Sequence, residues 1–390
     1  MHKIQTLNKI SPKGLELFPR ECYETASEIM HPDAIILRSF KMHDMELPAT
    51  LKAVGRAGAG VNNIPIDKCT EKGIAVFNTP GANANSVKEL VLMSLFISSR
   101  RVFDGVNWAK SLVGQGAEVP KLIEKGKSDF AGPEIKGKKL GVIGLGAIGV
   151  MVANDALALG MEVIGYDPFI SVEAAWGLSR SVQRAVSLDS LIADSDYITI
   201  HVPLNDKTKG LINKDKFALM NKGVRVLNFS RGGLVNNEDL KGALSAEIVS
   251  TYVTDFPDED LLKEPNVIPC PHLGASTPEA EDNCATMAVA QIRNYLELGN
   301  IKNSVNFPEC EMTPAGKNRI VVANSNVPNM VGQITTILAE AKINIIDMLN
   351  KSRGDIAYNI IDVEIVVPQE ILDKIGDIEG VIMTRLITID

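Results

Sequence analysis

Short apolar runs recur along most of the chain, separated by segments whose apolar positions repeat at helical spacing. Ala34–Leu37, Ala53–Arg56 and Ala75–Phe77 read as strands of a first α/β unit. A long apolar helix is expected from Ser86 to about Phe103, capped near Asn85. Beyond it, Lys139–Ile143, Glu162–Tyr166, Tyr197–His201, Arg225–Phe229, Ile248–Thr254 and Val267–Pro269 alternate with helical segments. That alternation predicts an α/β fold with a Rossmann-type doubly wound parallel sheet and a site at the carboxyl ends of its strands. An amphipathic helix from about Pro278 to Leu298 would return the chain to the first unit, which makes that unit discontinuous. Residues 299–318 turn to Asn, Pro, Lys and Gly and read as a linker. Strand Arg319–Ala323, helix Met330–Ala341, strands Ile345–Lys351 and Tyr358–Val366, helix Glu370–Ile375 and strand Val381–Leu386 then give the βαββαβ order of a ferredoxin-like unit. The expected boundaries are 1–95 with 278–308 for the first unit, 96–277 for the doubly wound unit and 318–390 for the C-terminal unit.

Composition narrows the function classes. With 45% hydrophobic and 23% charged residues, the chain has the makeup of an ordinary globular protein. A net charge of −8 argues against a nucleic-acid surface and against a polybasic membrane anchor. The five cysteines are scattered without CxxC spacing, so neither a disulfide frame nor a metal knuckle is expected, and no HExxH is present. No apolar run suits a signal core or a membrane span, and a cytoplasmic setting is the expectation.

Chemistry enters with GVIGLGAIG at 141–149. Gly144, Gly146 and Gly149 have G-x-G-x-x-G spacing at a strand-to-helix turn. Gly144 permits the turn, Gly146 lets a pyrophosphate approach, and Gly149 lets the helix Ala147–Leu159 pack close to the strand. The next strand ends at Asp167, an acid suited to ribose hydroxyls. Pro168 and Phe169 follow it where an arginine would favour NADP, so NAD fits better. Oxidising a secondary alcohol further requires a base for the hydroxyl proton and a cation for a neighbouring carboxylate. His272 ends a strand before a Gly-Ala-Ser-Thr turn and is the candidate base; His201 ends another strand and could line the same crevice. Arg231, between the strand RVLNFS and Gly232-Gly233, is the candidate cation. The acids Asp255, Asp258, Glu259 and Asp260 lie upstream of His272, and spacing alone does not choose among them as its partner.

On these residues the chain resembles the D-isomer-specific 2-hydroxyacid dehydrogenases. The resemblance spans nearly the whole chain and rests on GRAGAGVNNI (55–64), NTPGANANSVKEL (78–90), GLGAIG with Asp167, HVPLNDKTKGLIN (201–213), NFSRGG (228–233) and PHLGAST (271–277). It implies a flavodoxin-like substrate domain, a Rossmann NAD domain and a C-terminal ACT module. The implied activity is NAD-dependent oxidation of D-3-phosphoglycerate to 3-phosphooxypyruvate, the first step of L-serine synthesis, by a homo-oligomeric enzyme, a dimer or tetramer. A relative acting on glyoxylate, hydroxypyruvate or another 2-keto acid is the near rival, and a dinucleotide-sensing co-repressor the distant one.

The resemblance also implies roles. His272 would be the acid/base and Arg231 the residue on the substrate carboxylate and carbonyl. The shortened run DFPDE would place Glu259 beside His272, with Asp260 as the alternative, and Asp255 at the nicotinamide amide. Further cofactor contacts would come from Thr79, Ala147, Ile148, Val202, Phe229, Ser230, Leu273, Gly274 and Ala275. Backbone amides of Ala57 and Gly58 would meet the substrate carboxylate, and Arg38 with Ser39 its phosphate, Phe40 standing where some relatives have a second arginine. Asn324, Asn326 and Asn344 would hold L-serine as effector, although Asn324 stands in place of a histidine. A chain truncated near Pro314 would, on this reading, remain a folded enzyme.

Overall fold

In the computed structural model, which describes residues 1–389, the apolar runs assemble into three sheets. The first holds β1 (His2–Leu7), β2 (Tyr23–Ala26), β3 (Ala34–Leu37), β4 (Ala53–Arg56) and β5 (Ala75–Phe77), all parallel, in the order β2-β1-β3-β4-β5. This is the flavodoxin-like order. The second holds β6 (Lys139–Ile143), β7 (Glu162–Tyr166), β8 (Gln183–Arg184), β9 (Tyr197–Ile200), β10 (Val224–Asn228), β11 (Val249–Thr254) and β12 (Val267–Pro269). Its order is β12-β11-β10-β9-β6-β7-β8, again all parallel. The third is antiparallel: β13 (Asn318–Ser325), β14 (Ile345–Arg353), β15 (Ile356–Val363) and β16 (Val381–Thr388), ordered β14-β15-β13-β16. Central strands such as β3 and β9 are buried throughout, because helices cover both faces of a parallel sheet and leave no polar side to alternate with. The α/β class with a Rossmann-type sheet and a ferredoxin-like unit is the one the sequence pattern predicts, and the flavodoxin-like sheet is the one the resemblance implies.

Two compact units result, Ala84–Thr277 and the remainder, so the first sheet and the antiparallel sheet share one unit. Among the described residues no helix is long and apolar enough to cross a membrane.

Several expectations need correction. Strands β1, β2 and β8 are additions to the pattern. The long helix spans Ala84–Ser99 and stops there, and Val102–Ser111 forms a separate helix with no buried residue. Its end has a local cause. Ser98 and Ser99 both turn their hydroxyls back to Leu95 O, while Ser98 O is taken by Arg225 Nε at 2.8 Å.

The larger correction concerns residues 299–318, which are not a loose linker. Val305 N donates to Val76 O at 2.9 Å, Asn306 Oδ1 accepts from Val76 N, and Ser304 bridges Phe77, so this strap closes the β5 edge of the first sheet. Ile301, Phe307, Cys310 and Met312 are buried. They belong to one core with Phe77 and Tyr295 on one side and Val321, Ala323, Tyr358 and Ile360 of the antiparallel sheet on the other.

Arg319 bolts this core together. Its side chain and that of Asp362 are fully buried, paired at 2.6 Å (Nε to Oδ1) and 2.9 Å (Nη2 to Oδ2). Nη1 donates to Leu298 O and Met312 O, which tie β13 to the end of the helix Pro278–Leu298 and to the strap. Tyr358 OH donates to Gly299 O at 2.8 Å, and Arg385 lies over the Tyr295 ring at 4.5 Å. The geometry opposes a dispensable C-terminal module. Arg319→Ala leaves Asp362 buried and unpaired, and should destabilise this unit by about 3–5 kcal/mol, read as a lower melting temperature by calorimetry. A chain ending near Pro314 should aggregate or melt without a native transition; a native-like melting curve for it would show the module to be separable after all.

Candidate active site

In the second sheet the strand ends form a row, and the chemically interesting residues emerge from it in order. Following β12 comes His272, following β11 Asp255 and Phe256, following β10 Ser230 and Arg231, following β9 His201, following β6 the glycine loop, and following β7 Asp167. The chain winds from β6 to β8 in one direction and from β9 to β12 in the other, so the crevice between β6 and β9 is the topological switch point. From β12 to β7 the row is about 24 Å long at the usual strand spacing of ~4.8 Å, long enough for an extended dinucleotide.

The glycine loop is built by close approaches. Gly144 has φ +90, and a Cβ there would lie 2.5 Å from His201 O. A Cβ on Gly149 would lie 1.9 Å from Gly144 O, so only glycine lets the helix Ala147–Ala158 sit this close to β6. Gly146 differs: a Cβ there would meet nothing within 4 Å, which leaves open space above the loop. No side chain caps that helix, so the Ala147 and Ile148 amides begin it bare. Asp167 accepts from Leu145 N and Phe169 N, both at 2.8 Å, which fixes its carboxylate at the loop with lone pairs left for hydroxyls. These features fit a dinucleotide: a phosphate over uncapped amides and a ribose at the acid.

Ser230 Oγ donates to Ile200 O at 2.7 Å, and Asn228 Nδ2 donates to Arg231 O at 2.9 Å, so the loop after β10 is fastened from both sides. Phe229 is buried in the core on one face of the sheet, and Val202 packs at the edge of a second core cluster. Arg231 is exposed, donates from Nη1 only to Ser230 O of its own loop, and has no ion pair among the described residues. Its fork is therefore available to a ligand.

His272 is exposed and sits at φ +55, in the left-handed region. Asp255 holds it there. The Asp255 carboxylate is 2% exposed and accepts from Leu273 N and Gly274 N, both at 2.8 Å, while Ser86 Oγ donates to Gly274 O. Phe256 stacks against the His272 ring at 4.9 Å and touches the position a Gly232 Cβ would take, at 3.4 Å. It thus separates His272 from the loop of Arg231.

The acids sort differently from the expected pattern. Glu259 is 87% exposed and pairs with Lys263, Asp260 with Lys263 and Lys241, and Asp258 with Asn237 Nδ2 and Leu261 N. None of them bonds the His272 ring among the described residues, so neither Glu259 nor Asp260 is placed as its partner. Asp255 anchors a loop with both oxygens. His201 is a neutral histidine: burial pushes its pKa down to about 3.

The other unit carries the remaining expected residues. Asn8 Oδ1 accepts from Ser39 N and Phe40 N, and Asn63 Nδ2 donates to Arg38 O, which shape the loop after β3. Arg38 pairs with Glu281 at 2.5 Å on the surface. Ala57 N donates to Leu37 O, and Gly58 has φ +153 with Arg56 Nη1 3.1 Å from where its Cβ would be. Arg56 was not among the expected residues, although a cation ending the buried strand AVGR before a glycine-rich turn is a readable signal. Thr79 is fully buried, with its amide on Gly58 O. The three asparagines have separate partners: Asn324, buried, with Ser325 O and Asn359; Asn326 with Gly354 O; Asn344 with Glu364.

Residues 95–274 match the family model described as D-isomer specific 2-hydroxyacid dehydrogenase, NAD binding domain. The chain is 34% identical over 335 residues to the D-3-phosphoglycerate dehydrogenase of Methanocaldococcus jannaschii, across 84% of this chain and 61% of that protein. It is 36% identical over 301 residues to that of Archaeoglobus fulgidus, across 74% of this chain and 54% of that one. The chain therefore spans less than two thirds of either relative's length. The crystal structure of NAD+-bound 3-phosphoglycerate dehydrogenase from Entamoeba histolytica is similar with a TM-score of 0.62 and 25% identity, covering 78% of this chain and 98% of that one. Residues 95–274 are an NAD-binding domain of the D-isomer-specific 2-hydroxyacid dehydrogenase type.

The middle and last glycines of the loop should respond oppositely to the same change. Gly149→Ala drives a methyl group into Gly144 O and should lower the melting temperature markedly. Gly146→Ala should keep the melting temperature but raise the NADH dissociation constant about tenfold or more, because its methyl fills the space a phosphate needs. Equal stability losses in the two variants would contradict this assignment of the loop.

Proposed function

We propose that the chain oxidises D-3-phosphoglycerate to 3-phosphooxypyruvate with NAD. The observation that carries the reading is the free Arg231 fork and the exposed His272 ring on either side of Phe256, at strand ends of an NAD-binding domain. Arg231 binds the substrate carboxylate through two parallel N–H bonds and polarises the C2 oxygen. His272 takes the C2 hydroxyl proton as the carbon–hydrogen bond breaks. NAD, when bound, accepts the hydride from C2. Asp255 keeps the His272 loop in place and so positions the base without touching the substrate. Arg38 and Arg56 bind the substrate phosphate, with Arg38 released from Glu281 as the phosphate enters.

The same reading extends to control and assembly. The antiparallel sheet with its helices is a regulatory ACT module that binds L-serine, with the exposed Asn326 and Asn344 as its contacts and the buried Asn324 supporting them. The enzyme works in the cytoplasm as a homo-oligomer.

The test is NADH formation with D-3-phosphoglycerate, D-glycerate and D-lactate. D-3-phosphoglycerate should have the highest kcat/KM, and Arg56→Ala should erase most of its advantage over D-glycerate. His272→Ala should lower kcat by about two to four decades with NADH affinity little changed, and Arg231→Lys should raise KM and lower kcat together. Equal turnover of D-glycerate and D-3-phosphoglycerate would move the assignment to a glyoxylate- or hydroxypyruvate-type enzyme. Tight NADH binding without turnover of any 2-hydroxy acid would sink the enzymatic reading.

A further inference from the structure

His201 has no part in the proton or hydride chemistry, yet its position is closely determined. Its backbone N–H donates to Ile143 O at 2.7 Å, which places it beside the glycine loop. Gly144 approaches so near that a Cβ there would lie 2.8 Å from Val202 Cγ1 as well as against His201 O. On the other side, Ser230 Oγ bonds Ile200 O, so the residue before Arg231 is fastened to the residue before His201. His201 thus lies between the phosphate-type loop and the loop of Arg231.

The ring's tautomer follows from its neighbour. Nε2 is 2.9 Å from Thr199 Oγ1, and Thr199 is wholly buried in β9. Among the described residues the Thr199 hydroxyl has no other partner. Were the proton on Nε2, Thr199 would bury an O–H with no acceptor and Nδ1 would be a buried lone pair with no donor. With Thr199 donating to Nε2, the proton sits on Nδ1 and a single group is left unmet. That group is Nδ1–H, shut off from solvent and without a partner. Native proteins rarely leave a buried donor in this state, and a ligand is one of the accepted reasons for it.

We propose that His201 Nδ1–H donates a hydrogen bond to an acceptor oxygen of the bound dinucleotide, on its pyrophosphate or on the ribose next to the nicotinamide. The proposal rests on the dinucleotide reading of this crevice. It makes His201 a binding residue for the middle of the cofactor, bridging the glycine loop and the substrate-side loop. It also explains the buried Thr199: the threonine's function is to hold the imidazole in the Nδ1–H form.

Two substitutions separate the ring's nitrogens. The amide of asparagine falls at the Nδ1 position, and that of glutamine at the Nε2 position. NADH dissociation constants from fluorescence titration, and melting temperatures of the cofactor-free chain, are measured for wild type, His201→Asn and His201→Gln. His201→Asn should stay within about threefold of wild type, and His201→Gln should weaken NADH about tenfold. The cofactor-free melting temperatures show whether a loss of NADH affinity follows from a loss of stability, and in His201→Gln the affinity should fall by more than any drop in melting temperature accounts for. ADP and ADP-ribose locate the oxygen. If ADP is weakened too, the acceptor is on the pyrophosphate; if only ADP-ribose and NADH are weakened, it is on the second ribose. Wild-type NADH affinity in His201→Gln would overturn the proposal, as would equal losses of affinity and cofactor-free stability in both variants. A wild-type chain that bound no NADH would overturn the dinucleotide reading itself, and this proposal with it.

Discussion

Every strand of the seven-stranded sheet runs the same way, and that constraint organises the site. Parallel strands deliver all their following loops to one edge, so residues far apart in sequence, from Gly144 to His272, stand in a single row. The row alone does not expose the His272 ring. His272 occupies a left-handed backbone conformation that costs about 1 kcal/mol or more for a non-glycine residue. Asp255 offsets it with two charge-assisted bonds to the following amides, each worth about 1.5–3 kcal/mol. A buried carboxylate is therefore spent on the shape of a loop, and the exposed ring is the outcome.

Much of this arrangement could be read in the chain. Buried parallel strands are continuous apolar runs, and the bounds expected for β3, β4, β5, β6, β7 and β12 coincide with those observed. The glycine spacing likewise carries its own steric reason, visible in the 1.9 Å approach of a Gly149 Cβ to Gly144 O. What escaped were elements whose partners are distant. β1, HKIQTL, mixes polar and apolar residues because most of its side chains are only partly buried, and so it lacks the uniform signature. The strap 299–318 looks like a linker by composition, but its Asn306 bonds Val76 N and Ile74 O at the edge of the first sheet. Charge placement was the least legible. Spacing put four acids near His272, and only the fold shows that one serves the loop backbone while the others meet lysines, an asparagine and a 3₁₀ turn.

The strap also changes how regulation would reach the rest of its unit. One core runs from Phe77 and Tyr295 through Phe307 to Tyr358 and Ile387, and Arg319 is hydrogen-bonded to three segments within it. A ligand on the antiparallel sheet would meet a body continuous with the helix Pro278–Leu298 and the flavodoxin-like sheet, not a tethered bead. Coupling in such a body requires two packings of this core with different ligand affinities. The buried ion pair limits those packings, because separating Arg319 from Asp362 inside the core is costly.

The proposed reaction at this edge of the sheet moves a hydride from C2 of a phosphorylated 2-hydroxy acid to a nicotinamide. D-3-phosphoglycerate carrying deuterium at C2, incubated with NAD and the full chain, tests it directly when the reduced nicotinamide is isolated and weighed by mass spectrometry. The account predicts that each reduced nicotinamide formed carries one deuterium. Reduced nicotinamide without the label, or labelled substrate consumed with none formed, would contradict it.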